Sequence, residues 1–421
     1  MTVLLEKDEG QPKVHRMRMI HLAESDFNFI IRLLWGREFM RHNEQTNGIH
    51  KNQHGGRKGW QGQSAALKKK LTIDVARHYK EPMVIIDKDA TACYDRIVTH
   101  LVILTLIKMG MPTTHGKFMK NFLSEAEYKV KTAKDISKGF YKCKHGSGQG
   151  LGWSPPNWCS ISDVISRATE AHCLGMAMED PGKLEVSQRN FDAFVDDVNA
   201  GLSKLGWEQF LGSKWVPIGE SLLQQAEPNV QFYSDLLEAS GGALNLQKSY
   251  FYLLEIIWDK GKWRYKNNKN VINPMIIKQS KGTSTLEALN PNEPRKILGV
   301  TMAPDGSMKG QIHHLQCKTK QWGTLLSKNY LSVHDVHGVF RWPPSISGIS
   351  GRREHDVSKP MPKSDGTCPP PFLEKTRNKK HHVERLYPCF SQIWRTRIQG
   401  SIHYVRYSKT ATLSGASKER R

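Results

Sequence analysis

The sequence predicts a mixed α+β protein. Short apolar runs of strand length stand between longer segments in which apolar residues recur at helical spacing. The two kinds of segment do not alternate strictly, as they would in a doubly wound parallel sheet, and the chain contains no internal repeat. We therefore expect an α+β fold whose strands come together from distant parts of the chain.

Composition limits the class of protein. The length of 421 residues suggests two or three domains, and 38% apolar residues suffice for a core. The formal charge of +22 and the pI near 9.6 favour a polyanionic partner such as DNA or RNA. The alternative is a basic protein without such a partner.

Cysteine usage and hydropathy predict a soluble, intracellular protein without a membrane anchor. The seven cysteines have no framework spacing, which suits reduced thiols. The first residues are too few and too acidic for a signal peptide. The longest apolar stretch, Leu101 to Ile107, is far shorter than a membrane span.

The first predicted elements surround a polar, glycine-rich loop at residues 52–59. Pro82 ends the helix that follows this loop. The predicted elements are a strand at Val14–Leu22, helices at Phe27–Arg41 and Ser64–Arg77, and a buried strand at Met83–Ile86.

The middle of the chain is predicted to be mainly helical. Gly110 and Pro112 stop the first of these helices. A second glycine-rich loop, residues 145–156, ends in Ser-Pro-Pro and opens a helix. The predicted elements are helices at Arg96–Met109 and Gly116–Glu127, a basic strand reaching Lys134, and a helix continuing to Leu174.

Further strands and one long helix are predicted before the pattern decays. A hairpin is centred on Asp196, and Gly241-Gly242 form a turn. Beyond about Ser345 no element is predicted, and residues 351–421 carry 16 Lys and Arg against 6 Asp and Glu. The predicted elements are a helix at Glu220–Ala239, a hairpin from Tyr250–Trp258 to Trp263–Tyr265, and a strand at Lys296–Met302.

Three aspartates are the strongest candidates for chemistry. Asp196 and Asp197 are adjacent and flanked by apolar residues, and Asp89 follows an apolar strand about a hundred residues earlier. Adjacent carboxylates repel each other and are costly to desolvate unless a cation lies between them. Carboxylates from distant segments are typical of a two-metal phosphoryl-transfer site. The alternative is a set of solvated turn carboxylates.

The order of motifs is more specific than any one of them. Asp89 is followed by Tyr94-Asp95, then by the Gly148-Gln149-Gly150 loop with Ser154-Pro155, the Asp-Asp hairpin, and Gly242-x-x-Asn245-x-x-Lys248-Ser249. Leu298-Gly299-Val300 comes last. In this order the chain resembles the reverse transcriptase domain of non-long-terminal-repeat retrotransposons, over roughly residues 14 to 305.

The resemblance implies a right-hand polymerase fold. Its parts would be partial fingers at 1–86, a palm at 87–255 with an inserted fingers segment at about 100–145, a primer-grip hairpin and partial thumb at 256–345, and a basic, irregular tail at 346–421. Such enzymes are RNA-directed DNA polymerases. The implied partners are an RNA template, a DNA primer and deoxynucleoside triphosphates, while the oligomeric state stays open.

The resemblance also implies roles for individual residues. Asp89 and Asp196 would bridge two Mg²⁺ ions, with Mn²⁺ as an alternative and Asp197 in support. Lys248 would protonate the departing pyrophosphate or hold its charge, or would simply be solvated. Tyr94 would exclude a 2′-hydroxyl, unless it is only a core aromatic.

Two glycine-rich segments would bind substrate by the same resemblance. Gln149 and Gly150 would position template or nucleotide because glycine lets backbone approach a ligand closely, although an ordinary turn is the alternative. Arg57 and Lys58 would grip the triphosphate, with Lys51 competing for this role and a solvated loop pair as the alternative.

Two rival functions remain at this stage. An RNA-dependent RNA polymerase shares the palm carboxylates, although Tyr94 and the Gly-Gln-Gly loop disfavour it. A catalytically silent nucleic-acid-binding remnant of a retroelement would keep the fold and charge alone. No endonuclease-like segment precedes the polymerase motifs, and no ribonuclease H set of carboxylates follows Ser307, as expected of a fragment or a decayed copy.

Overall fold

The computed structural model describes residues 1–6, 17–91, 93–132, 135–143, 145–179, 186–203, 219–268 and 274–328. The chain forms two compact units, Met1–Leu315 and Gln316–Arg421. Of the second unit, only residues 316–328 are described. The irregular tail and most of the predicted thumb lie outside the described residues, and the proposed domain boundaries stay a prediction.

Helices account for much of the first unit. Ser154-Pro155-Pro156 begins one of them as predicted, because proline fits the first turn of a helix. The helices are α1 Ser25–Ile31, a π-helix at Arg32–Phe39 that continues it, α2 Met40–Gln45, α3 Gly62–Tyr79, α4 Cys93–Arg96, α5 Thr99–Lys108, α6 Thr113–Glu125, α7 Ser154–His172, α8 Glu220–Ala239 and α9 Lys309–Lys328.

The strands are short and come from the whole described chain. They are β1 Thr2–Glu6, β2 Met17–His21, β3 Met83–Asp89, β4 Glu127–Tyr128, β5 Val130–Lys131, β6 Tyr141–Lys142, β7 Met176–Glu179, β8 Val186–Arg189, β9 Phe191–Phe194, β10 Asp197–Ser203, β11 Tyr250–Leu254, β12 Ile256–Asp259, β13 Lys262–Tyr265, β14 Ile276–Gln279, β15 Gly282–Thr285, β16 Glu287–Leu289, β17 Arg295–Ile297 and β18 Val300–Met302. Together with the helices they confirm the predicted α+β class.

A five-stranded sheet forms the centre of the first unit. Its strand order is β16-β11-β3-β10-β9. β3 is antiparallel to both of its neighbours, β10 and β11, while β16 runs parallel to β11 at one edge. The central strand is therefore the apolar run before Asp89, which was predicted to be buried.

Alternation along the strands gives the sheet two different faces. Val84 and Ile86 of β3 face a large core that also contains Trp158 of α7 and Val230 of α8. On the opposite face, Ile85 packs in a smaller core with residues of α3 and β11. Helices thus cover one face broadly, whereas the other face carries α3 and stays partly open near the strand ends.

Most predicted elements are present, with shifted ends. The predicted helix Arg96–Met109 is present as α5 but starts later, at Thr99, after the separate short helix α4. The predicted Tyr250–Trp258 strand divides into β11, in the central sheet, and β12, which pairs with β13 as a hairpin. For the predicted strand Val14–Leu22 the structure describes Met17–His21, and residues 14–16 lie outside the described residues.

Other elements carried too weak a signal to be predicted. β1 pairs with β2 in a three-stranded sheet completed by β5. The β14–β15 hairpin and helix α9 were also missed. Across the described part of the chain, no helix has both the length and the apolar character needed to cross a bilayer.

Candidate active site

The register of the central sheet brings the candidate carboxylates together. Asp197, the first residue of β10, pairs directly with Asp89, the last residue of β3. Directly opposed residues in antiparallel strands have Cα atoms about 4.5–5.5 Å apart. Asp196 lies in the turn between β9 and β10, immediately before Asp197. Asp89 is far from Asp196 and Asp197 in sequence, yet all three carboxylates share one end of the sheet.

The segment after Gly241-Gly242 forms hydrogen bonds with the side chain and the backbone of Asp89. Asn245 donates a side-chain hydrogen bond to Asp89 Oδ2 at 2.9 Å and a backbone one to the Asp89 carbonyl at 2.8 Å. The hydroxyl of Ser249 accepts a hydrogen bond from the Asp89 N–H at 3.0 Å. Two residues of the predicted Asn245-x-x-Lys248-Ser249 motif, Asn245 and Ser249, thus contact Asp89.

Burial and mutual repulsion both alter the acid–base properties of the pair. Restricted access of water, followed by the negative charges of Asp196, Asp89 and Asp87, raises the pKa of Asp197 to about 6. Burial, and then the charge of Asp89, also raises the pKa of Asp196. The ammonium group of Lys248 opposes both shifts. Lys248 is exposed, so the site carries unbalanced negative charge.

This donor set suits a hard divalent cation without forming a complete cage. Among the described residues, no group of three or more His, Cys, Asp or Glu side chains is arranged to hold a metal ion. Mg²⁺ is usually held by one or two carboxylates, with waters and substrate phosphates completing its octahedron. Asp89, Asp196 and Asp197 offer oxygen donors and excess negative charge, which fits that mode of binding.

Tyr94 lies near the turn that contains Asp196, on the short helix α4. The side chain is half-buried, and its ring centroid is 6.5 Å from that of Trp158. Burial, followed by the charges of Cys93, Asp196 and Cys159, raises the pKa of Tyr94. The neighbouring Cys93 thiol donates a hydrogen bond to the Asp196 carboxylate. Tyr94 is therefore close enough to Asp196 to feel its charge, as a sugar-contacting residue would be.

The second glycine-rich loop is seated between α4 and β2. The N–H of Ser147 donates to the Tyr94 carbonyl at 2.8 Å, and the N–H of His21 donates to the Gln149 carbonyl at 2.7 Å. A Cβ atom at Gly150, whose φ is +105°, would lie 2.6 Å from the His21 carbonyl oxygen. The backbone of this loop is thus fixed, while the Gln149 side chain is partly exposed.

Arg57 has a partner that sequence reasoning did not anticipate. Its guanidinium forms a two-point ion pair with Glu44, with an Nε–Oε1 distance of 2.6 Å, and donates to the Gln53 carbonyl at 3.0 Å. Its side chain is 10% exposed. This geometry gives Arg57 a structural role that competes with the predicted grip on a triphosphate.

The two other candidate cations of the first loop region differ from Arg57. Lys58 is exposed. Lys51 is also exposed and lies 3.5 Å from Glu170. Their predicted contact with a triphosphate stays a prediction.

The residue before Asp196 has an unusual backbone. Val195 adopts φ +59°, in the left-handed region that β-branched residues rarely enter. Such a conformation costs on the order of 1–3 kcal/mol and persists only where surrounding structure enforces it. The Trp158 indole N–H donates to the Val195 carbonyl at 2.7 Å, and the fully buried Gln53 contacts both its N–H and its carbonyl.

Sequence reasoning missed Gln53 and Trp158. Gln53 was read as part of a polar loop, and Trp158 as one apolar residue of a helix. No local pattern distinguishes a buried glutamine that hydrogen bonds to a distant turn from an exposed loop glutamine.

Behind the site, β3 alternates acidic and basic side chains. Asp87 forms an ion pair with the buried Lys69 of α3 and accepts a hydrogen bond from Asn199 at 3.1 Å. Lys88 points to the helix-covered face, where its Nζ lies 3.9 Å from the ring centroid of Tyr233. Burial lowers the pKa of Lys88 to about 8. The two acidic side chains of β3 thus share the open face, away from this lysine.

A cavity of about 420 Å³ opens in front of the carboxylates. Asp89 and Asp197 contribute to its wall together with Lys248, Arg295 and Lys296. A wall with both acidic and basic side chains suits a ligand that carries phosphates together with divalent cations.

Among the comparisons with known proteins, only the one with solved structures gives matches. No model of a known protein family matches the sequence, and curated proteins give no match either. Apo telomerase from Candida tropicalis, truncated from its C-terminal domain, aligns with a TM-score of 0.39 and 12% identity over 69% of this chain and 51% of that one. Telomerase from Candida albicans, in complex with a TWJ fragment of telomeric RNA, aligns with a TM-score of 0.37 and 12% identity over 67% and 37%.

The chain spans about half or less of the length of these telomerase structures, by the shares of 51% and 37%. At such TM-scores the alignments do not define a shared fold. The chemistry of the site therefore rests on its own geometry.

Proposed function

We propose that the chain is an RNA-directed DNA polymerase of the non-long-terminal-repeat retrotransposon type. It transfers the nucleotidyl group of a deoxynucleoside triphosphate to a primer 3′-hydroxyl on an RNA or DNA template, and pyrophosphate leaves from the α-phosphate. One observation carries the proposal, namely the pairing of Asp89 with Asp197, which sets Asp196 beside both at one end of the central sheet. Solvated turn carboxylates would not need an apolar strand and a bonded partner segment to converge.

The residues of the site have distinct tasks in this reaction. Asp89 and Asp196 would hold two Mg²⁺ ions, with Mn²⁺ as an alternative and Asp197 in support. Such ions would supply the positive charge that acidifies the attacking hydroxyl and neutralises the triphosphate. Asn245 and Ser249 keep Asp89 in its orientation. Lys248, exposed at the rim, donates a proton to the pyrophosphate leaving group or holds its charge.

Tyr94 selects the sugar. Its position near Asp196 and above the α7 residue Trp158 supports contact with the incoming nucleotide. A bulky ring there leaves no room for a 2′-hydroxyl, so deoxynucleotides are preferred by steric exclusion. The Gln149-Gly150 loop, whose backbone is bonded to β2, offers a fixed surface for template or nucleotide.

The polymer partners follow from charge. A formal net charge of +22 attracts RNA and DNA through their phosphates, largely without regard to sequence. Binding should therefore weaken steeply as salt concentration rises.

Primer extension on a defined RNA template tests the proposal. The full chain, given Mg²⁺ and deoxynucleoside triphosphates, should extend a DNA primer, and Asp196→Asn should abolish extension. Asp235→Asn is the matched control, because Asp235 is an exposed carboxylate on helix α8. Full activity of Asp196→Asn would overturn the metal assignment. A wild-type chain that binds RNA but never extends a primer would instead support the silent remnant.

A further inference from the structure

We propose that Gln53 is a positioning residue that holds the catalytic turn in its left-handed conformation. This inference rests on the proposed function. It assigns a task to a side chain that neither touches the substrate nor faces the cavity. Gln53 is fully buried and lies about 140 residues away from the turn in sequence, so its contact is made only by the fold.

The amide of Gln53 is matched to both polar groups of Val195. Its Oε1 accepts a hydrogen bond from the Val195 N–H at 3.1 Å, and its Nε2 lies 3.3 Å from the Val195 carbonyl oxygen. An amide presents an acceptor and a donor side by side, as a neighbouring strand would. Gln53 therefore satisfies the backbone N–H and carbonyl of Val195, as a neighbouring strand satisfies those of a strand residue.

The Gln53 amide is itself held by its surroundings. Its Nε2 donates to the Ser162 hydroxyl at 2.6 Å, and its Oε1 also accepts from the Gly55 N–H at 2.8 Å. Because a backbone N–H can only donate, Gly55 fixes Oε1 as the acceptor, and a reversed amide would lose this bond. Ser162 of α7 and Gly55 of the loop thus hold the amide in one orientation.

The loop that carries Gln53 is bonded to the catalytic hairpin. The N–H of His54 donates to the Ala193 carbonyl at 2.7 Å, and the N–H of Ala193 donates to the Asn52 carbonyl at 2.8 Å. Gly55 has no room for a side chain, because a Cβ atom there would lie 2.2 Å from the Val195 nitrogen. The loop therefore follows β9 closely up to Val195.

The position of the Asp196 carboxylate depends on this arrangement. Because Val195 directly precedes Asp196, a change in its φ would redirect the Asp196 side chain. Left unsupported, a valine prefers negative φ. Reactions that need exact placement lose about 100-fold in rate for a displacement of about 1 Å. Loss of the Gln53 amide should therefore slow the chemical step while leaving substrate binding intact.

Gln53→Met tests this, since methionine fills a similar volume without the amide. Single-turnover primer extension should slow by about 100-fold, with the Kd for primer–template and the apparent affinity for deoxynucleotide unchanged. Gln61→Met is the matched control, because Gln61 is exposed and makes no side-chain cap bond to α3. A rate equal to wild type would overturn the inference.

A second substitution separates positioning from general damage. Glycine enters the left-handed region readily. Val195→Gly in the Gln53→Met background should therefore recover a large part of the lost rate. If Val195→Gly only damaged the structure, its rate loss would add to that of Gln53→Met. Strict additivity of the two rate losses would also overturn the inference.

The outcomes keep this inference apart from the proposed function. If wild type extends primers and Gln53→Met does so equally well, only the role of Gln53 fails. If wild type does not extend primers at all, the proposed function fails. Hydrogen exchange measured by mass spectrometry then still tests whether Gln53 holds the turn at Val195. Gln53→Met should then expose the amides of residues 191–199 to faster exchange than Gln61→Met does, and equal exchange would contradict the Gln53 contact.

Discussion

The side-chain amide of Asn245 donates a hydrogen bond to Asp89 Oδ2 at 2.9 Å, while its backbone N–H bonds to the Asp89 carbonyl. One asparagine therefore bonds both the side chain and the main chain of Asp89, the first of the three candidate carboxylates.

Asn245→Ala should slow primer extension by roughly 10- to 100-fold, the usual loss when a residue that orients a metal ligand is removed. The half-saturating Mg²⁺ concentration should rise at the same time. Extension rates measured across a Mg²⁺ series would show both effects. Asn229→Ala is a suitable control, because Asn229 also bonds a distant carbonyl, that of Leu174, away from the site. Equal losses in the two variants would refute a specific role for Asn245.

Asp197 should make stability depend on pH when Mg²⁺ is removed with a chelator. Its folded pKa of about 6 lies above the ordinary aspartate value of about 3.9. Between these values the folded state binds more protons than the unfolded chain, so this group lowers stability as pH rises through the window. Asp197→Asn should therefore exceed wild type in Tm at pH 7, by about 2 °C.

The Tm difference between wild type and Asp197→Asn at pH 4, and at pH 7 with Mg²⁺, serves as the control. At pH 4 the wild-type carboxyl is mostly protonated in the folded state, so the Tm gap should nearly vanish. Adding Mg²⁺ at pH 7 should also narrow the gap, since a bound cation relieves the repulsion. Thermal scans by fluorimetry would measure all three conditions, and a gap that does not change with pH would contradict the assigned cause.

Tyr94→Ala should relax sugar selection. Removing the ring opens space for a 2′-hydroxyl, so the preference for deoxy- over ribonucleotides should fall by roughly 10- to 200-fold, the range expected for steric pocket changes. Competitive incorporation on one template gives the ratio of kcat/KM values. Tyr79→Ala is the control, because Tyr79 is 46% exposed at the end of α3. A wild-type preference for ribonucleotides would favour the RNA polymerase alternative.

Arg57→Met should destabilise the fold through loss of the pair with Glu44. A partly buried, charge-assisted hydrogen-bonded pair contributes about 2 kcal/mol, and urea unfolding would measure the loss. Arg37→Met is the control, since that side chain is 73% exposed. Unchanged stability combined with a raised KM for deoxynucleotide would instead restore the predicted grip on the triphosphate.

Sequence alone predicted the buried strand before Asp89, the hairpin at Asp196 and the meeting of their carboxylates, but not the strand order of the central sheet. The apolar run Met83–Ile86 could only be a buried strand, and the apolar flanks of Asp196 marked a hairpin. The order of motifs then predicted that Asp89 and Asp196 would meet, and the pairing of Asp89 with Asp197 agrees with this.

The missed features depend on contacts distant in sequence. Glu44 and Arg57 are both polar residues of ordinary appearance, and their pairing is set by how α2 and the first loop pack. The left-handed φ of Val195 contradicts local preference, so it is enforced by partners from elsewhere in the chain. Local pattern predicts elements and their faces, while such tertiary bonds need the assembled fold.

The alternation of Asp87, Lys88 and Asp89 also guards against misfolding. If β3 slid by one residue against β10, every side chain would change faces. Both aspartates would then enter the apolar core beside Val230 and Tyr233, while the lysine would occupy the side of the cavity. Desolvating two unpaired carboxylates is so unfavourable that such a mispaired sheet could not compete. The same charges that are proposed to bind metal thereby favour the correct strand alignment during folding.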